Sequence, residues 1–168
     1  NEVAMTLLPV DSAEDARTAV ATVGVIRHPH LLPVIEVAQD DERVAMVCPW
    51  PAGGRLAELV DRRGRLTAPE TLTVLIPLAE AHAAAHAGGI RHGDVCPESI
   101  WFDGPGRPLL GALAVSALVA ELNDGLPEGS RDVAPEVVRG EAVRRGPVTR
   151  AADVFSLGVV LWEMLAGQ

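Results

Sequence analysis

The chain contains no lysine. All fourteen of its basic residues are arginine, set against twenty-three carboxylates, and the formal charge is −9. Nucleic-acid binding needs a surface that neutralises phosphates, so an acidic, lysine-free chain excludes that class, and the same count excludes a polybasic membrane patch. Aromatic residues are scarce, with three Trp, two Phe and no Tyr. The only cysteines, Cys48 and Cys96, form neither a metal-spaced cluster nor a disulfide framework, which fits a reducing compartment. No signal peptide is read at Asn1. The most apolar stretches, 109–122 and 155–167, are too short and interrupted to span a bilayer.

What is present is a core. Of the 168 residues 48% are hydrophobic, enough for one packed domain and too many for disorder. Residues 2–8 are β-compatible. Ser12 predicts a helix cap, followed by an apolar stripe of Ala16, Ala19/Val20, Val23 and Ile26. PVIEVAQ and RVAMVCP flank a polar turn and predict an antiparallel pair. PWPAGG (49–54) reads as a linker. Thr67 and Glu70 make a capping box with Pro69 in the first turn, and Gly88-Gly89 ends that helix. Leu72, Leu75, Ile76, Ala79, Ala83 and His86 predict its buried stripe. Thr149 caps a final helix, with Val154, Leu157, Leu161 and Leu165 as the predicted inward face.

The segments RHPHLLPVIEV, PWPAGGRLAELV, AHAAAHAGGIRHGDVCPESIWFDGPGRPLL, VAPEVVRG and AADVFSLGVVLWEMLAGQ occur in an order and spacing that resemble the bacterial (Hanks-type) Ser/Thr protein kinase family. The resemblance implies an α+β, protein-kinase-like fold with a partial, small β-rich N-lobe and a mainly helical C-lobe. Residues 1–50 would be the partial N-lobe (strand, helix C, β-hairpin), 51–54 the hinge, and 55–168 the C-lobe through helix F, within one kinase-like domain. The chain would begin at the family's third strand, with no GxGxxG glycine loop, and stop after helix F, without helix G.

Phosphoryl transfer depends on positioning and concentrated positive charge, and the resemblance locates the positions that supply it. Thr6 stands where the phosphate-gripping Lys would be and Ala19 where its helix-C Glu partner would be. Asp94 matches the Asp that accepts the substrate hydroxyl proton. Gly93 replaces an Arg, Cys96 the catalytic-loop Lys, and Ser99 the metal-binding Asn. Ala112 falls at the Mg²⁺-binding Asp of DFG. Cys48 takes the gatekeeper position, Pro51 removes a hinge N–H that would meet adenine, and Trp101 replaces a smaller residue on the pocket floor. Val23, Val34, Leu113 and His92 match the hydrophobic spine, Asp153 its helix-F anchor, and Glu136 the Glu of the Ala-Pro-Glu segment.

Packing positions are kept and charged ones replaced, so the expectation is a pseudokinase: not an enzyme, binding neither ATP nor Mg²⁺, and acting as a regulatory or scaffolding module. Its expected partners are proteins: an active kinase, a phosphopeptide-reading domain or a membrane protein. The expected location is the cytoplasm, or the cytoplasmic face of the membrane through a segment outside this chain. The alternative is a divergent Ser/Thr kinase that retains ATP and Mg²⁺ binding and weak phosphotransfer through Asp94. His82 and His86 lie four apart and offer two imidazoles to a metal. No third ligand is evident, so they are read as a packed or half-exposed pair and no metal is expected.

Overall fold

The computed structural model describes residues 2–8, 13–39, 44–111, 113, 134–138 and 149–167. A three-stranded antiparallel sheet has the order β1-β3-β2, built from β1 (Val3–Leu8), β2 (Glu36–Gln39) and β3 (Val44–Pro49). β1 pairs with β3 from Val3↔Pro49 to Leu8↔Val44, and β2 and β3 form the expected antiparallel pair. As the central strand, β3 buries Val44, Ala45, Met46, Val47 and Cys48. Its continuous apolar run fits a strand covered on both faces. Helix α1 (Ala13–Gly24) follows β1, and Val23 and Ile26 from its predicted stripe pack against the main core. The predicted cap, Ser12, lies outside the described residues.

A second small antiparallel sheet runs β4-β5-β6: Gly54–Arg55, Ile100–Phe102 and Pro108–Leu110. Asp103 closes the β5–β6 turn, its Oδ1 accepting from the Arg107 N–H and its Oδ2 from Arg107 Nε, each at 2.7 Å. The 30–32 segment ties the two sheets together. Leu32 N–H donates to the Leu110 carbonyl at 2.9 Å, and Leu110 N–H donates to that of His30 at 2.8 Å.

Helices α2 (Leu56–Arg63), α3 (Ala68–Ala87), α4 (Pro135–Val138) and α5 (Arg150–Ala166) complete the described elements. The box at α3 is present: Glu70 Oε2 accepts from the Thr67 N–H at 2.9 Å and from its hydroxyl at 2.7 Å. Thr149 Oγ1 caps α5 by accepting from Ala152 N–H at 3.1 Å. The buried faces of both helices differ from the expected ones. α3 buries Thr71, Val74, Leu78, Ala81, His82 and Ala85, while Leu72 and Ile76 are about half exposed. α5 buries Ala152, Asp153, Ser156, Val160 and Met164, while Val154 and Leu165 face outward. Each helix carries apolar residues around most of its circumference, so periodicity offers two stripes. Small side chains decide between them by letting α3 and α5 approach each other. The core between α3, α5 and the second sheet gathers Leu56, Leu78, Ile100, Leu110, Val160 and Met164, among others.

Candidate active site

The loop 91–97 leaves the C-terminus of α3, where Gly88 and Gly89 end the helix, and leads into a 3-10 turn at Pro97–Ser99. Asp153, buried in the first turn of α5, holds this loop. Its Oδ1 accepts from Gly93 N–H at 2.8 Å, and its Oδ2 accepts from His92 N–H at 3.0 Å and from His86 Nε2 at 2.7 Å. Burial by itself would raise the Asp153 pKa. The donors His86, Gly93 and His92 outweigh it and hold the carboxyl below its ordinary value, so the anchor stays ionised. Arg150 reinforces the junction by donating from Nη2 to the His86 carbonyl at 2.6 Å.

His92 lies beneath the loop, fully enclosed. Its Nε2 donates to the Gly111 carbonyl at 2.8 Å and its Nδ1 accepts from Asp94 N–H at 3.2 Å. That pair of bonds requires the neutral ring. Burial favours it by lowering the His92 pKa, against the opposing pull of Gly111, Asp153 and Asp94. Gly93 has φ +80°, in the left-handed region, which places its N–H toward Asp153 at no Cβ cost. Asp94 is thereby presented half-buried on a backbone fixed at 92, 93 and 94.

The replaced positions have local work. Ser99 Oγ accepts from Cys96 N–H at 3.1 Å and donates to the Cys96 carbonyl at 2.8 Å, closing the turn on itself. Ser99's carbonyl accepts from Gly111 N–H at 2.8 Å. Burial, then the Asp94 charge, pushes the Cys96 thiol up to about 12, so it is a packed thiol and not a nucleophile. Trp101 is partly exposed. Arg55's guanidinium carbon stands 4.2 Å from its ring centroid, and its edge lies so close to Gly111 that a Cβ there would come within 2.8 Å of Trp101 Cδ1. Pro51 is buried, with its carbonyl accepting from Gly54 N–H at 3.3 Å. Cys48 is buried in β3 opposite Ala4, and burial raises its thiol pKa.

The other expected positions scatter. Thr6 is exposed on β1 opposite Met46, and Ala19 belongs to α1. Val23, Val34 and Leu113 line one cleft of about 670 Å³, together with Trp50, Pro51 and Leu109. Glu136 is partly exposed in the first turn of α4. Ala112 lies outside the described residues.

Two partners escaped the sequence. His86, expected as part of an apolar stripe, is the side-chain donor to Asp153. His82 is packed, at 4% exposed, but neither ring nitrogen has a hydrogen-bond partner among the described residues, which the sequence did not show. Leaving such a group unbonded costs about 1–3 kcal/mol. Burial, then the neighbouring His92, pushes its pKa down to about 4. The i, i+4 spacing of the two imidazoles was visible in the chain, whereas the bond from His86 to Asp153, 67 positions further on, was not.

Nucleotide and Mg²⁺ find a partial match here. Mg²⁺ takes hard oxygen ligands and commonly binds through one or two carboxylates, with substrate phosphates and water filling its octahedron. The Asp94 carboxylate and the Ser99 hydroxyl are oxygen donors of that kind. Pro51 offers no N–H to a base, although Trp101 and Arg55 retain an aromatic face and a cation beside the loop.

The protein kinase domain model matches residues 5–168. CBL-interacting protein kinase 17 of Oryza sativa subsp. japonica is 32% identical over 161 residues, covering 93% of this chain and 35% of that protein. CBL-interacting serine/threonine-protein kinase 16 of Arabidopsis thaliana is 30% identical over 166 residues, covering 92% and 34%. Serine/threonine-protein kinase PkaB of Streptomyces coelicolor is 33% identical over 183 residues, covering 98% and 43%. The chain thus spans about a third of the length of the plant relatives it matches. These matches correct two expectations. The expectation of no enzyme is overturned by relatives that are named as protein kinases, and the expectation of no ATP or Mg²⁺ fails with it, because kinase-family chemistry uses both. Replacing one electrostatic stabiliser slows a reaction without by itself abolishing it, so replaced charges alone do not exclude an enzyme. The chain belongs to the protein kinase domain family.

Proposed function

We propose that this chain is part of a divergent Ser/Thr protein kinase in which Asp94 accepts the proton of the substrate hydroxyl. The observation that supports it is the anchoring of the loop. Asp153 receives two consecutive backbone N–H groups, and His92 receives the third from Asp94 itself. Three fixed amides hold the base in place before substrate arrives, as positioning catalysis requires. ATP with Mg²⁺ supplies the phosphoryl group and shields its charge when bound. Asp94 would hold the metal and orient the hydroxyl, and the Ser99 oxygen would lie on the same turn.

With Thr6, Ala19, Gly93 and Cys96 in place of charged groups, turnover is set well below the roughly 1–100 s⁻¹ of protein kinases. Each missing electrostatic stabiliser typically costs about 10²–10³ in rate, and such losses overlap when they act on one transition state. Residues 1–50 and 55–168 then serve as the two lobes and 51–54 as the hinge between them. Protein partners belong to the same reading, since two of the relatives are named for interacting with CBL. The thiols of Cys48 and Cys96 are free, which fits the reducing, ATP-containing cytoplasm.

The test is radiolabelled phosphate transfer from ATP with Mg²⁺ to a Ser/Thr peptide pool, using the full chain and its Asp94→Asn variant. Slow transfer abolished in the variant supports the reading. Transfer that is absent, or equal in the variant, contradicts it.

A further inference from the structure

Between α3 and α5, His82, His86 and Asp153 are the group of three metal-ligating side chains gathered among the described residues. One donor atom from each lies within 4.8 Å of the others. His86 and Asp153 already meet, Nε2 to Oδ2, at 2.7 Å. His82 stands beside them, its ring centroid 5.8 Å from that of His86. It is 4% exposed, and neither nitrogen has a hydrogen-bond partner among the described residues. A buried imidazole with no partner among them is an anomaly beside polar groups that are engaged. His92, also 5.8 Å from His82, cannot serve it, because both of its ring nitrogens are committed to Gly111 and Asp94.

We propose that His82, His86 and Asp153 form a binding site for one Zn²⁺ ion, which ties α3 to α5 beneath the loop carrying Asp94. Two imidazoles and one carboxylate are a ligand set that Zn²⁺ takes, with a fourth position left for water, and the nitrogen donors favour zinc over Mg²⁺. The ion takes the place of the hydrogen between His86 Nε2 and Asp153 Oδ2, and in the neutral His86 ring that proton moves to Nδ1, leaving Nε2 to the metal. Tetrahedral donors at 2.0–2.1 Å from zinc lie about 3.3 Å apart. The 2.7 Å contact therefore opens slightly and His82 closes in, adjustments that side-chain rotation can supply. Asp153 keeps its bonds to the His92 and Gly93 N–H groups, since a carboxylate offers about four lone-pair sites. The outer hydrogen bonds that fix a metal's carboxylate ligand, here from the His92 and Gly93 N–H groups, are thus already built. Nothing in this site depends on the catalytic reading, because none of the three ligands touches substrate in it.

The test uses the tag-free full chain, stripped with a chelator and titrated with ZnCl₂ against a chromophoric zinc indicator, in parallel with CoCl₂. The expected result is one zinc per chain, a melting temperature that rises with zinc, and the visible d–d bands of four- or five-coordinate cobalt. His82→Leu should lower zinc affinity by about 100-fold or more, while melting no lower than the wild type without metal, because it removes an unbonded buried imidazole. The Cys48→Ser/Cys96→Ser double variant should bind zinc as the wild type does. Absence of stoichiometric binding overturns the proposal, as does binding undiminished by His82→Leu or lost with the cysteines. If His82→Leu does not fold, the cobalt spectrum of the wild-type chain decides: octahedral, aquo-like cobalt overturns the site.

Discussion

The floor under the loop and the sheet above it are built in opposite ways. Beneath residues 91–97, polar groups other than His82 are enclosed and paired: Asp153 takes three donors, His92 uses both nitrogens, and Ser99 closes on Cys96. In the β1-β3-β2 sheet only the central strand is enclosed, while Val3, Met5 and Leu7 are 46%, 61% and 58% exposed on one face of β1. Thr6 is exposed on that same strand. Substitution beneath the loop would strand several buried donors at once.

Stability measurements by chemical denaturation should reproduce this contrast. The largest loss is expected for Asp153→Ala, which leaves the His92 and Gly93 N–H groups and His86 without their acceptor. About 3–5 kcal/mol, or failure to fold, is the expected outcome. Met5→Ala on the exposed face of β1 should stay within about 0.5 kcal/mol. Equal losses at the two positions would erase the distinction between floor and sheet.

Next comes Leu78→Ala, at a fully buried position of α3, with an expected cost of about 2–5 kcal/mol. Leu72→Ala on the opposite side should cost under about 0.5 kcal/mol. This pair also separates what could be read in the chain from what could not. The strand at 3–8, the hairpin, the Thr67–Glu70 box and the Thr149 cap were legible, because each rests on contacts among residues near in sequence. The inward faces of α3 and α5 were not, because Leu72 and Ile76 compete with Val74 and Leu78 for the same periodic signal. Only the small residues Ala81, Ala85, Ala152 and Ser156, packed between the helices, settle the choice. In the site, His92, Asp94 and Asp153 were legible as a spaced motif. The role of His86 and the isolation of His82 were not, since both depend on α5 arriving from the far end of the chain.

Smaller than the losses at Asp153 and Leu78 is the effect at the N-terminus of α3. Thr67→Ala should cost about 1 kcal/mol by removing the cap. Hydrogen bonds from the Thr67 hydroxyl and N–H, then from Arg63, pull Glu70 down to about 2 from its ordinary 4.5. A carboxylate lowered on folding stabilises above its unfolded pKa and loses that contribution as pH falls through the folded one. The protection factor of the Thr67 amide should therefore hold above pH 4.5, decline as pH falls toward about 2 and vanish below it. A factor that stays flat across that window would remove the cap from the account.

The central proposal is that the loop anchored on Asp153 presents Asp94 as a working base, and phosphotransfer with Asp94→Asn tests it most directly. The variant changes one oxygen for an amide and leaves the Asp94 backbone bond to His92 in place, so folding should be unaffected. The account predicts slow, Mg²⁺-dependent transfer of labelled phosphate by the wild-type chain and its loss in the variant. Equal transfer by both proteins, or none by the wild type under conditions where it is folded, would contradict it.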